Sequence, residues 1–346
     1  PGATRSEPGH AAPSRPPVIG LFGLFGSGNF GNDGSLAAMI GILRSIRPDA
    51  RLVCCCDGPQ EVQKRFGIEA VPIADRTEWG GRIGRRLLAV PAKGMEFARA
   101  ISRTRTFDAV IVPGTGMLDD FASGPLGIPA DILIWCAAAR AHRVPIWFTS
   151  VGAGPIVHPL SRRFMISAAR LAQHRSYRDQ ASRHFMEHAG IDARGEPIVP
   201  DLAFALPVPT ALPRAPGSPI TIGVGVMNYR GWSGRSTDAP SIYATYLDKL
   251  ARLCRGILHR GYRVRLLTGD ETDEHAVRAF VEHLFADLTG PAPRARVLVA
   301  PVRCLDDVMR HMLETDAVVA TRFHNVVCAL KTGRPTISLG YAEKNA

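Results

Sequence analysis

Lysine is nearly absent from this sequence. Only five of its 42 basic residues are lysine, so a net charge of +11 against 31 acidic residues rests on arginine. A bias spread along the whole chain gives no single arginine much weight as a functional signal. Taken together the charge favours anionic partners: phosphorylated substrates, an acidic lipid surface or nucleic acid. Nucleic acid loses support because zinc-finger spacing and an RNP-type aromatic motif are both missing.

No C-x-x-C pair occurs among the seven cysteines, Cys54, Cys55, Cys56, Cys136, Cys254, Cys304 and Cys328. An odd number without a framework reads as reduced, buried thiols. Strand alternation turns the adjacent Cys54, Cys55 and Cys56 to opposite faces, which argues against a shared metal. No apolar stretch approaches the roughly 18–20 residues that a membrane-spanning helix needs, and no repeat of solenoid length is present. Residues 1–17 are proline-rich, lack the apolar centre of a signal peptide and read as a disordered tail. These absences predict a protein made and kept in the cytoplasm.

The sequence has 346 residues, 46% hydrophobic and 21% charged, enough for two domains with separate cores. Strand patterns at 18–25, 51–56, 71–73, 108–112, 145–151 and 176–178 alternate with helical patterns at 35–46, 132–141 and 164–172. Five prolines in residues 206–219 then exclude a helix or a central strand. A second alternation follows, with strands at 220–226, 264–268, 297–300, 317–320 and 336–339. Its helices fall at 242–260, 271–288, 305–313 and 325–331. Such alternation predicts parallel sheets covered on both faces. The expected fold is α/β, with two Rossmann-like domains facing a cleft in a glycosyltransferase-B-like architecture. Residues 18–206 form the first domain, 207–219 the linker and 220–346 the second domain.

In open parallel sheets ligands bind beyond the carboxyl ends of the strands, so the loops there are the places to read. The first, Gly26-Ser27-Gly28-Asn29-Phe30-Gly31, has the G-x-G-x-x-G form, with Asp57 ending the next strand. It fits a nicotinamide dinucleotide, another anionic or hydroxyl-rich ligand, or a plain strand–helix turn. Val151-Gly152-Ala153-Gly154-Pro155 is a second glycine loop. At Arg178-Asp179 a short strand ends in an arginine and an aspartate caps the next helix. Thr321-Arg322-Phe323-His324-Asn325 is the sharpest signal. It places a phosphate-binding guanidinium and an acid–base imidazole between a strand end and a helix N-terminus. Residues 75–106 are basic and amphipathic, and Gly80, Gly81, Gly84 and Pro91 predict two short helical pieces there. They can lie on an anionic membrane or form a solvated face over the core.

Seven pieces, in order, resemble the polysaccharide pyruvyltransferase family across nearly the whole chain. They are Gly28-Asn29-Phe30-Gly31, Pro113-Gly114-Thr115-Gly116-Met117-Leu118, Gly152-Ala153-Gly154-Pro155, Arg178-Asp179-x-x-Ser182, Pro200-Asp201, Arg322-Phe323-His324 and Tyr341-x-x-Lys344. One departure is Gly31-Asn32-Asp33, where the family usually has two carboxylates. The resemblance implies an enzyme that moves pyruvate from phosphoenolpyruvate to two hydroxyls of a sugar. Its products would be a cyclic ketal and phosphate, and no metal or organic cofactor would be needed. It implies that Arg178 and Arg322 hold the donor with Lys344, and that His324 gives the proton. Asn29 and Asp33 would face the acceptor, and Gly28, Gly114, Gly116, Gly154 and Asp201 would complete the binding surface. The first domain would be the acceptor side and the second the phosphoenolpyruvate side. The acceptor would be a glycan or lipid-linked oligosaccharide, with peripheral contact to the inner membrane face. Rival readings are a nucleotide-sugar glycosyltransferase of the same architecture, an NAD-dependent oxidoreductase, and a binding protein that keeps the arginines without needing His324.

Overall fold

A computed structural model describes residues 15–74, 89–121, 123–211, 215–231 and 238–340. Six strands form the first sheet: β1 (Val18–Gly23), β2 (Arg51–Cys56), β3 (Glu69–Pro72), β4 (Ala109–Pro113), β5 (Ile146–Val151) and β6 (His174–Tyr177). Five form the second: β7 (Thr221–Gly225), β8 (Arg263–Leu267), β9 (Val297–Leu298), β10 (Ala317–Ala320) and β11 (Thr336–Ser338). Their orders are β3-β2-β1-β4-β5-β6 and β11-β10-β7-β8-β9. Every pairing within them is parallel. In each sheet the chain walks outward from its first strand and then returns to that strand's other side. The carboxyl ends of β1 and β4, and of β7 and β10, therefore flank the two crevices where ligands collect.

The inner strands β1, β2 and β4 are buried on both faces, as parallel sheets require. Phe22, Val53, Cys55, Val110 and Val112 enter one core. Leu21, Leu52, Cys54, Cys56 and Ile111 enter the other. The three adjacent cysteines thus divide between faces, and burial pushes the Cys54 and Cys55 thiols well up. The second domain packs Val224, Leu266 and Phe280 in one cluster and Leu267, Val308, Met312 and Val318 in another. This last cluster also takes in Phe30 and Ala203 from the first domain, so the two halves share part of a core.

Several element boundaries differ from those expected. The first helix runs over Phe30–Ile46, five residues earlier than its apolar pattern. Asn29 caps it by accepting the Asn32 N–H at 3.1 Å, and the cap outweighs the poor helix propensity of Gly31 and Gly34. A single helix, Ala89–Thr104, covers the described part of the basic segment. Pro91 does not divide it, because in a first turn its missing N–H has no helical partner to lose. The rest of that segment, 75–88, lies outside the described residues. Of the expected tail, residues 1–14 also lie outside them, whereas Arg15 is bound: it pairs with Asp108 at 2.9 Å. Pro17 O accepts the Arg51 N–H at 2.8 Å. No helix among the described residues is long and apolar enough to cross a membrane.

Candidate active site

The loops after β1, β5 and β6 meet the loops after β8 and β10 between the two domains. The glycine loop after β1 is filled by protein. A Cβ on Gly26 would lie 2.3 Å from Gly58 O, one on Gly28 3.0 Å from the Glu271 carboxylate, and one on Gly31 1.9 Å from His324 Nδ1. In a dinucleotide fingerprint such glycines make room for pyrophosphate. Here Gly26 lies against Gly58 of its own domain, and Gly28 and Gly31 let the second domain dock: Gly28 O accepts the Glu271 N–H at 2.9 Å and Gly269 O accepts the Phe30 N–H at 3.2 Å. Asn29 Nδ2 donates to Asp270 Oδ2 at 3.2 Å.

His324 follows β10, and its ring lies against Gly31. On the other side its Nε2 faces Asp201 Oδ2 at 3.6 Å. Arg178, at the end of β6, brings Nη1 to within 3.5 Å of the same oxygen. Its guanidinium stacks on Phe323, 4.1 Å from the ring centroid. Gly152 also packs on this guanidinium: a Cβ there would come within 2.6 Å of Arg178 Cζ. The Asp201 side chain is only 2% exposed, and its Oδ1 accepts the Ala203 N–H at 3.0 Å. Burial alone would raise the Asp201 pKa, but His324, Arg178 and the Ala203 N–H together hold it down at about 2. Asp201 was expected to touch substrate; in the structure its Oδ2 faces His324 and Arg178.

Arg322 is anchored from beneath. Its Nε and Nη2 form a bidentate pair with Asp273 at 2.8 and 2.6 Å, and Asp270 lies 3.7 Å from Nη1. Asp273 is buried and also accepts N–H groups from Asn228 at 3.1 Å and Gly269 at 3.2 Å. The pair uses two of the five N–H donors of the guanidinium and fixes its plane. Asn29 and Arg322 therefore meet through Asp270.

Other expected site residues stand elsewhere. Asp33, expected to face the acceptor, has a side chain only 4% exposed, with both oxygens engaged inside the protein. It accepts the Gly26 N–H at 2.8 Å and Arg65 Nη1 at 2.9 Å. Burial, the largest effect, raises its pKa against those two partners. Gly114 is held beneath Ser35 at φ +55°, Gly116 faces Asp119, and Gly154 faces Phe185 at φ +76°. These three glycines accommodate neighbouring side chains. Lys344 and Tyr341 lie outside the described residues.

Sequence reasoning missed Asp270, Asp273, Ser150 and the role of Phe323 as a stacking platform. Asp273 carries only the generic mark of an acid in a helix's first turn. The available clue was indirect: an arginine in a cleft needs a carboxylate to hold it.

A polysaccharide pyruvyl transferase family model matches residues 29–343. The chain belongs to that family. It is accordingly an enzyme, a pyruvyl transferase acting on polysaccharide. No curated protein sequence matches the chain. Among solved structures it resembles the Methanocaldococcus jannaschii UDP-GlcNAc 2-epimerase with TM-score 0.58 and 10% identity, over 93% of this chain and 83% of that one. The S. aureus MnaA–UDP structure gives TM-score 0.57 and 10% identity, over 93% and 79%. The Neisseria meningitidis UDP-GlcNAc 2-epimerase with UDP-GlcNAc gives 0.54 and 13%, over 93% and 82%. At these identities the likeness establishes a two-domain, glycosyltransferase-B-type fold for this family member.

Proposed function

We propose that the enzyme transfers pyruvate from phosphoenolpyruvate to two hydroxyls of one glycan sugar, as a cyclic ketal. The supporting observation is that Arg178, Arg322 and His324, drawn from both domains, converge around the cleft between β1, β6, β8 and β10. Planar guanidinium groups match carboxylate and phosphate oxygens in paired hydrogen bonds. His324 gives a proton to the methylene carbon of the donor, and positive charge develops on the neighbouring carbon. One sugar hydroxyl adds there and the carbon–phosphate ester bond breaks. The second hydroxyl then closes the ketal. One proton enters at the methylene, one leaves with phosphate, and the two hydroxyls supply both. Donor entry would part His324 from Gly31 and open the Nδ1 edge of the ring.

The acceptor in this reading is a glycan or lipid-linked oligosaccharide bound on the first domain. The basic segment around Arg82, Arg85 and Arg86 would add peripheral contact with an anionic membrane. Incubating candidate glycans with phosphoenolpyruvate and weighing the products by mass spectrometry tests the reaction. The expected result is the mass gain of a pyruvate ketal with release of phosphate. Phosphoenolpyruvate should also raise the melting temperature, Arg322→Ala should abolish that rise, and NADH should cause none. A rise with NADH and none with phosphoenolpyruvate would overturn the donor assignment and favour an oxidoreductase.

A further inference from the structure

Asp201 is the point at which Arg178 of the first domain and His324 of the second meet. Its Oδ2 faces His324 Nε2 at 3.6 Å and Arg178 Nη1 at 3.5 Å. Neither that oxygen nor His324 Nε2 has a closer hydrogen-bond partner among the described residues. These separations are beyond a normal N–H···O bond of about 2.9 Å, so the contacts can tighten.

Asp201 is itself held with unusual rigor. Ser150, at the irregular end of β5, is buried with φ +55°, a left-handed conformation that a side chain adopts at a cost. That conformation places its hydroxyl 3.0 Å from Val199 O and 2.8 Å from Pro200 O, the two carbonyls preceding Asp201. The Ser150 N–H in turn donates to Ser176 Oγ at 2.8 Å. Beyond Asp201, its own Oδ1 caps the 3-10 turn Leu202–Ala205. The backbone is therefore pinned on both sides of a carboxylate that stays ionised at neutral pH.

Stability alone does not account for this arrangement. A buried ionic cluster contributes less than well-packed apolar residues of the same volume, and a strained serine adds a further cost. Both make sense where an imidazole must be held in one orientation.

We infer that Asp201 is a positioning residue. It orients the His324 ring through Nε2 and the Arg178 guanidinium through Nη1, so that the acid and the anion clamp keep a fixed relation across the domain boundary. Proton exchange with substrate then falls to the Nδ1 edge of His324, and Ser150 acts through Asp201. This inference rests on the pyruvyl-transfer reading for its catalytic consequence. Its geometric content, Asp201 paired with His324, does not.

The experiment uses Asp201→Asn, Ser150→Ala, His324→Gln and the double variant of Asp201→Asn with His324→Gln in the full chain. The acceptor is the glycan pyruvylated by the wild type. Asp201→Asn should lose turnover by roughly 10–100-fold, the range for removing a carboxylate that orients a metal-bound histidine, and should reduce the thermal shift with phosphoenolpyruvate far less than Arg322→Ala does. Ser150→Ala should lie between it and wild type. In the His324→Gln background, Asp201→Asn should cost little more. Nitrogen NMR of histidine-labelled protein should show the His324 ring signals altered by Asp201→Asn. Additive losses in the double variant would overturn the inference, as would normal turnover with weakened donor binding. If the wild type makes no ketal, the functional reading fails, and the NMR comparison still decides whether Asp201 orients the ring. Unchanged His324 signals would then refute the positioning role.

Discussion

At the scale of single residues, His324 bears the sharpest test. His324→Gln should keep the stabilisation by phosphoenolpyruvate and lower turnover by roughly 100- to 10,000-fold, the range for removing a general acid. Near-normal turnover would move that role to another group. Gly31 is the second residue to test, because a methyl group there would lie 1.9 Å from His324 Nδ1. One atom of this kind forces the ring or a helix to move, typically at about 1–3 kcal/mol. Gly31→Ala should therefore lower the melting temperature and turnover together, whereas a change at Gly67, where an added Cβ meets nothing, should spare turnover. The sequence marked Gly31 as part of a dinucleotide-like loop. Its actual reason, an imidazole from a residue 293 positions later, is invisible to local pattern.

At the scale of elements, the helix Asp273–Ala286 reaches the site through its first residue. Asp273 joins β7's loop, β8's loop and Arg322 through four hydrogen bonds. Asp273→Ala would remove the bidentate partner of a partly buried guanidinium and leave the looser Asp270 contact at 3.7 Å. The expected loss is about 3–5 kcal/mol of stability, read in urea unfolding, together with a weaker thermal response to phosphoenolpyruvate. A small stability change would mean that Arg322 finds another partner. Asp201, which caps the 3-10 turn Leu202–Ala205, adds a pH dependence. Because its pKa is depressed to about 2 from the usual 3.8, its stabilisation is complete above about pH 4 and lost as pH falls toward 2. The stability gap between wild type and Asp201→Asn should therefore narrow over that window. Asp33 works in the opposite sense, since its pKa is raised by burial. The comparison must accordingly be made as a difference between the two proteins.

At the scale of the whole molecule, the domains are coupled by a shared core as well as by the cleft. Phe30 sits at the start of a first-domain helix yet packs with Leu267, Leu305 and Val308 of the second domain. Arg65 Nη2 donates to Arg303 O at 2.8 Å and Lys331 Nζ to Phe204 O at 2.7 Å, crossing the same boundary. Phe30→Ala should cost about 3–5 kcal/mol and broaden or split the calorimetric unfolding transition as the halves lose cooperativity. A single sharp transition at the wild-type temperature would show that Phe30 does not couple them.

The sequence by itself determined the two parallel sheets, because runs buried on both faces and separated by helical patterns admit few other packings. It also marked Arg178, Arg322 and His324 as residues that follow strands, and the fold puts those strand ends beside the boundary between the domains. Bounds such as Arg51–Cys56, Leu305–Leu313 and Ala317–Ala320 were legible to the residue. Their apolar patterns end where polar or glycine residues begin. Only the tertiary structure decided which charges pair. Asp201, Asp270 and Asp273 resemble any loop or first-turn carboxylate until the domains close on them. Asp33 looks like a ligand until burial gives it to Gly26 and Arg65. The physical reason is range. Strand and helix formation depend on neighbours a few residues apart, whereas desolvated ion pairs depend on which distant segments are brought into contact.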